Sequence, residues 1–301
     1  MTVGPSLLAG GSKAVPRNFQ KAMYSLLSRA LQICSTLLTL PLCCCFETIV
    51  TIADWWQVRH TGWLPGKVRF LPFGLVLKVG CVGTASEADI LRFISKSTRI
   101  PVPRVILSAT GLGRHYTLMT RAVGRNLQNA WQDMDAEQQT KIISQLRDFV
   151  DQLRALMPPD AHRISGFDGG PLLDSRLPGS QPCGPFSSEK DFNEHLLDCT
   201  RVYVCDEIVD EIRPQLSLDH RIYFTHADLA ARNIIVDGDQ IVALLDWENS
   251  GWFPEYWEFV KARHYPALDK SWDDSIATFA HDYTKEWMVD RRMSDYIVGA
   301  I

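Results

Sequence analysis

The sequence predicts an α+β chain of two lobes, a small one built on a short antiparallel sheet with one helix and a larger, mainly helical one. Two observations carry this. Between Lys67 and Thr120, four β-rich runs surround a single helical stretch, and after Gly124 the apolar spacing turns helical. A third observation sets the helical half apart: a strand–loop–strand–turn–strand segment stands inside it, from Arg221 to Trp247. With 301 residues, 46% hydrophobic and 22% charged, the chain is long and apolar enough for two modest lobes around a cleft.

Residues 1–60 read as an extension, flexible at first and then an apolar helix. Ala30–Phe46 carries no charge, contains Pro41 and falls short of a bilayer span, with Lys13, Arg17, Lys21 and Arg29 upstream. It reads as an amphipathic helix buried on the protein or covering a partner. The alternative is a peripheral membrane contact through residues 30–46, with Cys43, Cys44 and Cys45 open to acylation. A cleaved signal peptide is disfavoured because the apolar run starts late and no small-residue cleavage site follows it.

Residues 61–123 form the expected small lobe. KVRFLPF and LVLKVG are strands parted at Gly74. Residues 84–97 form a helix with Ile90, Leu91 and Ile94 on one face, which IPVPR stops. RVILSA and RHYTLMT follow as a hairpin. Residues 124–301 form the large lobe. Its helix over 136–156 repeats apolar residues at core spacing, from Ile142 to Leu156, and a Gly/Pro/Ser-rich loop follows over 157–188. Helices resume near Glu189, RIYFTHADL, NIIVD and IVALLDW are strands with Gly238 in a hairpin turn, and the remainder is mostly helical.

A net charge of −4 and a pI near 6.1 offer no basic surface for nucleic acid. The eight cysteines show no CxxC spacing or paired Cys/His pattern, so neither zinc nor a disulfide framework is expected, and a reducing, cytoplasmic setting is.

The chemistry concentrates in HADLAARNIIVDGDQIVALLDWE, residues 226–248. A kinase catalytic loop is written H-R-D-x-x-x-x-N, and His226, Asp228 and Asn233 take its H, D and N positions; Asp246 then ends an apolar strand, where a second metal-binding acid belongs. Phosphoryl transfer is mostly positioning and charge neutralisation. Asn233 and Asp246 can offer oxygen ligands to Mg²⁺, and Asp228 can accept or orient the proton of an attacking hydroxyl. His226 reads as a buttress of the loop. In the small lobe, Lys78 lies in an apolar strand where a lysine is costly to bury, and Glu87 follows at the start of the next helix, the order of the lysine and glutamate that serve donor phosphates.

KVG with SEADILRFI, IPVPRVI, YTLMTRAVGRNL, HADLAARNIIV and LLDWENSGWFPEYWEFVKA, spanning roughly residues 67–265, is similar to the fungal branch of the aminoglycoside phosphotransferase and choline kinase family. The resemblance implies a bilobal protein-kinase-like fold and a kinase moving the γ-phosphate of ATP or GTP, with Mg²⁺, to a hydroxyl of a small metabolite or antibiotic-like acceptor. It implies Asp228 as catalytic base, Asn233 and Asp246 as metal ligands, Lys78 on the donor phosphates with Glu87 beside it, and Tyr116–Ala122, including Met119 and Arg121, as the hinge against the adenine.

Three departures stand out. No glycine-rich loop precedes Lys78, since TGWLPGKV is not GxGxxG; Ala231 stands where relatives often carry proline; and Trp247-Glu248 follows Asp246 in place of Phe-Gly. The first keeps open an alternative, a catalytically weak pseudokinase serving as a nucleotide-binding or scaffold module. The last argues against a protein kinase. Trp252, Phe253, Tyr256 and Trp257 read as an acceptor wall or as core, and Glu255 and Glu258 as attractors of a cationic acceptor or as solvated helix positions.

Overall fold

The computed structural model describes residues 17–63, 66–173, 182–264 and 270–298. The small lobe is a four-stranded antiparallel sheet of β1 (Val68–Leu71), β2 (Leu75–Cys81), β3 (Val105–Gly111) and β4 (Arg114–Thr120), in the order β1-β2-β4-β3. Alternation writes its two faces. Leu77 and Tyr116 point one way, while Val76, Lys78 and Met119 point the other.

Helix α1 (Arg17–Thr61) covers the first face. Cys43, Phe46 and Val50, at three- and four-residue spacing, pack on Leu77, Ala109 and Tyr116, with the Phe46 and Tyr116 rings stacked at 5.6 Å. Arg69 forks onto both oxygens of Asp54 (2.9 and 3.0 Å), and Glu47 receives Arg114 (3.0 Å) and the buried Tyr116 hydroxyl. Part of the uncharged stretch is therefore a roof on the protein's own sheet, as one of the two readings expected; the side chains of residues 30–38 lie outside the described residues. Among the described residues, no helix is long and apolar enough to cross a membrane.

Helix α2 (Glu87–Ser97) crosses the cleft face. Its apolar stripe, Ile90, Leu91 and Ile94, enters a core that continues through both lobes. The helix begins at Glu87, three residues later than expected, because Ser86 is in extended backbone. The chain passes into the large lobe at Gly124, where φ is 151° and a Cβ would meet the Val236 carbonyl at 2.5 Å, so only glycine fits this crossing.

Two small sheets carry the large lobe's site. β5 (Arg125–Asn126) pairs with β8 (Ile234–Asp237), which pairs with β9 (Gln240–Leu244). β10 (Gly251–Pro254) lies between β6 (Ser165–Gly166) and β7 (Ile222–Thr225). Helices α3 (Leu127–Ala130), α4 (Ala136–Arg154), α5 (Glu189–Arg201), α6 (Asp206–Ile212), α7 (Trp257–Ala262), α8 (Lys270–Phe279) and α9 (Thr284–Val298) complete the lobe. Helix α4 opens on a capping box of Asp135 and Gln138 and buries Ile142, Leu146, Val150 and Leu153. Trp252, Phe253, Tyr256 and Trp257 are all buried, with Phe192 edge-on to Trp257 at 4.9 Å. They are core, which removes the acceptor-wall reading.

Candidate active site

Asp228 and Asn233 sit on the loop between β7 and β8. His226 and Asp246 close it from either side; backbone groups meet the side chains of His226 and Asn233, and Lys78 meets that of Asp246. The buried His226 ring donates from Nε2 to the Leu245 carbonyl (3.0 Å) and accepts the Asp228 backbone N–H at Nδ1 (3.2 Å), a pattern that suits the neutral imidazole. Burial also holds its pKa below the usual histidine range. The ring packs on Trp247 at 4.4 Å.

Asn233 donates both amide hydrogens to Asp228, one to the backbone carbonyl (2.9 Å) and one to Oδ2 (2.8 Å). Its carbonyl oxygen is left as the free end of the amide. Asp228 is 5% exposed, and its Oδ1 accepts from Arg232 at 2.5 Å. Sequence reasoning missed Arg232, four residues on from Asp228, although that spacing is one turn of helix.

Glu258 was also misjudged. It is buried in α7, and its two oxygens accept the backbone N–H groups of His226 (2.7 Å) and Ala227 (3.2 Å). Ala227 has φ +63°, a left-handed conformation costly for a residue with a Cβ, and the Glu258 carboxyl ties down the strained turn. Glu258 is thus a support of the loop and not a solvated carboxylate or an attractor for an acceptor. Burial pushes its pKa up to about 7, against the pull of the two N–H groups.

Asp246 has the same left-handed backbone, φ +65°, immediately after β9. Its Oδ1 accepts from Lys78 at 2.6 Å, and Lys78 also meets Glu87 at 2.8 Å and Glu248 at 3.8 Å. Burial works to discharge Lys78, but the three carboxylates outweigh it and hold the ammonium above its usual range. Burial likewise opposes the Asp246 carboxylate, and Lys78 more than offsets it, so this carboxyl lies below its usual range. Glu87 turns its other oxygen to the Trp247 backbone N–H (3.0 Å), linking the small lobe's helix to the turn after Asp246. Glu248 reaches outward to Lys67 at 2.7 Å.

These groups frame a cleft of about 710 Å³ between the lobes, lined by Val76, Lys78, Met119, Arg121, Asn233 and Asp246 among others. The Arg121 guanidinium stacks over Phe70 at 4.9 Å. A second hollow of about 410 Å³ opens on the far side of Lys78, toward His115 and Pro182. Of the residues singled out in the sequence, Lys78, Glu87, Met119, Arg121, Asn233 and Asp246 line the larger cleft, while Asp228 and His226 lie beneath its floor.

For a divalent ion, the donor set is the test. Among the described residues, no three His, Cys, Asp or Glu side chains converge as a closed cage. Asn233 and Asp246 instead offer two hard oxygens at the edge of an open cleft, which suits an ion that keeps waters and takes further ligands from phosphates.

The first strand and glycine-rich loop of a five-stranded kinase lobe have no counterpart among the described strands; the sheet begins at Val68. The chain nevertheless resembles complete small-molecule kinases in fold. A ternary complex of a thermostable mutant of aminoglycoside phosphotransferase APH(4)-Ia with ADP and hygromycin B matches it with a TM-score of 0.52 at 15% identity, over 82% of this chain and 92% of that one. The streptomycin–ATP complex of APH(2")-IIa matches with a TM-score of 0.53 at 12% identity, over 78% and 81%. No curated protein matches by sequence. The model of the phosphotransferase enzyme family matches residues 82–292, which take in the segment from His226 to Asp246 and Glu258, and the chain belongs to that family.

Proposed function

We propose that this protein transfers the γ-phosphate of ATP, with GTP as the alternative donor, to a hydroxyl of a small metabolite or antibiotic-like molecule. The observation that carries the reading is the ion network in the cleft, where Lys78 is held between Glu87 and Asp246 beside Asn233. Lys78 and Glu87 are both buried, and taking such a pair out of water is costly unless each charge is well partnered.

In this reading the adenine lies between Val76 and Ile235 and against Met119 at the hinge, and Arg121 flanks it. Lys78 meets the donor phosphates and Glu87 orients it. Asn233 and Asp246 hold Mg²⁺, which when bound neutralises charge on the phosphates. Asp228 accepts the hydroxyl proton as the acceptor oxygen bonds to the γ-phosphorus and the bond to the β-phosphate oxygen breaks, releasing the diphosphate. Before that step Arg232 has to give up or share Oδ1 of Asp228. His226 keeps the loop in register without moving a proton.

The domain division follows the same reading: an extension over 1–60, a small lobe over 61–123 and a large lobe over 124–301. The setting in this reading is cytoplasmic, where nucleotide is abundant, with residues 30–46 as the place of a peripheral membrane contact. The fungal-type branch of the family is part of the same reading, supported by the likeness of the segments quoted from Lys78 to Ala262.

The test is a contrast of two variants, run once a screen of pooled hydroxylated compounds with Mg-ATP has supplied an acceptor. Asp228→Asn is expected to keep Mg-nucleotide affinity and lose turnover by about 10²-fold. Asp246→Asn is expected to weaken Mg-nucleotide binding as well, because it removes a charged metal ligand. Both are to be checked for a parental circular dichroism spectrum. Full activity in Asp228→Asn would remove that residue from the mechanism.

A further inference from the structure

Helix α1 has two faces of opposite character. The inner one, Cys43, Phe46 and Val50, is spent on the sheet. The outer one runs Cys44, Thr48, Thr51, Trp55 and Arg59 at three- and four-residue spacing, all exposed, with Ile52 and Trp56 flanking it. Trp55 is 62% exposed and Trp56 57% exposed, and Trp63 just past the helix is 78% exposed. Three tryptophans held in water within nine residues of chain are unusual for a free surface.

Charge says what covers this face. Residues 1–61 carry five basic residues (Lys13, Arg17, Lys21, Arg29 and Arg59) and two acidic ones (Glu47 and Asp54), in a chain whose total is 31 basic against 35 acidic. Both acids are taken by the protein itself: Glu47 by Arg114 and Tyr116, and Asp54 by Arg69. From Leu40 to Thr61, then, the outward side shows apolar side chains, hydroxyls, Arg59 and His60, and no acid. Arg59 stacks over Trp55 at 5.7 Å and the His60 ring stacks on Trp56 at 4.3 Å, so these two tryptophans each have a nitrogen-bearing side chain beside the ring. A second copy of this face would bring apolar surface but no acid to meet Arg59.

We propose that the outer face of α1 docks on an anionic lipid surface, with Trp55, Trp56 and Trp63 at the headgroup boundary and Arg59 among the phosphates. This face lies mostly beyond residues 30–46, where the sequence suggested a membrane contact, and the proposal is independent of the phosphotransfer reading. Tryptophan prefers the interfacial layer, where its ring is half apolar and its N–H is wet, and a helix lying in that layer needs an apolar side with cations and no opposing acids. The helix is fastened to the sheet by the Asp54–Arg69 fork and the Phe46–Tyr116 stack, so docking would orient the whole small lobe.

The full chain is to be sedimented with vesicles of phosphatidylcholine alone and of phosphatidylcholine with phosphatidylserine. Binding is expected mainly to the second. Trp55→Ala with Trp56→Ala is expected to weaken it at least about 10-fold, the loss that follows from removing only a few tens of Å² of buried apolar area per ring. Arg59→Glu is expected to weaken it roughly 30-fold, since each charge step at an anionic surface is worth about fivefold. Both variants alter exposed side chains, so the melting temperature and its rise with Mg-nucleotide should stay parental; this separates a failure of docking from a failure of the kinase reading. No binding to either vesicle, or equal binding by parent and variants, overturns the proposal. So does a dimer in solution that the tryptophan variant dissociates, which would assign the face to a second copy.

Discussion

Glu258 is a carboxyl buried in a helix with no cation bonded to it, and its task is to hold two N–H groups of a strained turn. Burial pushes its pKa up to about 7, well above the usual carboxylate range near 4.5. Linkage then fixes the sign. The folded state holds this proton more tightly than the unfolded one, so the contribution to stability is full below about pH 4.5 and is lost as pH rises through 7. About 2.5 units correspond to about 3 kcal/mol. His226 works in the opposite direction over part of this range, since its lowered pKa favours the fold as pH rises toward 6.5. The clean measurement is therefore a difference. Urea unfolding of the parent and of Glu258→Gln across pH 4.5–8 should show the parent losing stability relative to the variant by about that amount. A constant difference across the range would refute the assignment. None of this was readable from the sequence, where WEFVKA looks like any helix with an outward glutamate. His226, Asp228, Asn233 and Asp246 were readable because a loop that must present such groups keeps them at set spacing.

At the scale of elements, α1 decides whether the small lobe has one covered sheet face or two. Phe46 is 2% exposed between α1 and the sheet, and it stacks on Tyr116. Phe46→Ala should cost about 3 kcal/mol, at the low end for a buried aromatic because the site lies in the smaller of the two cores. Thermal or chemical denaturation measures it, and a loss below about 1 kcal/mol would mean that the helix does not roof the sheet. The strands and α2 were legible in the chain because alternation and 3.6-residue spacing are local properties. The target of α1 was not. An apolar helix face states only that something covers it, and sheet, partner and bilayer satisfy it alike.

Across the whole molecule, the two lobes meet through charges as well as through a shared apolar core. Lys78 and Glu87 come from the small lobe, Asp246 and Glu248 from the large one, and Lys67 joins the set at the start of β1. A donor nucleotide arriving with its metal would bind between them and stabilise only the folded, assembled cleft. Saturation with Mg-ATP at about 100-fold over its dissociation constant should raise stability by roughly 2.7 kcal/mol, readable as a higher melting temperature. An unmoved melting temperature with millimolar Mg-ATP and Mg-GTP would return the protein to the pseudokinase reading. No strand precedes β1 among the described residues, and Lys67 and Glu248 line the cleft beside it, which makes this the sharpest global test.

The chain's own order of residues was enough for the two-lobed class, for grouping His226, Asp228, Asn233 and Asp246 as one candidate unit and for pairing Lys78 with Glu87. Each rests on short-range periodicity or on motif spacing, which survive in one dimension. Folding alone decided that Arg232 occupies an oxygen of Asp228, that Glu258 braces Ala227 and that the aromatic run from Trp252 to Trp257 is core. It also decided which side of α1 faces the sheet. Apart from Arg232, whose bond to Asp228 is local, these facts rest on contacts between segments distant in the chain, and a side chain's burial and partners are set by what packs against it from elsewhere.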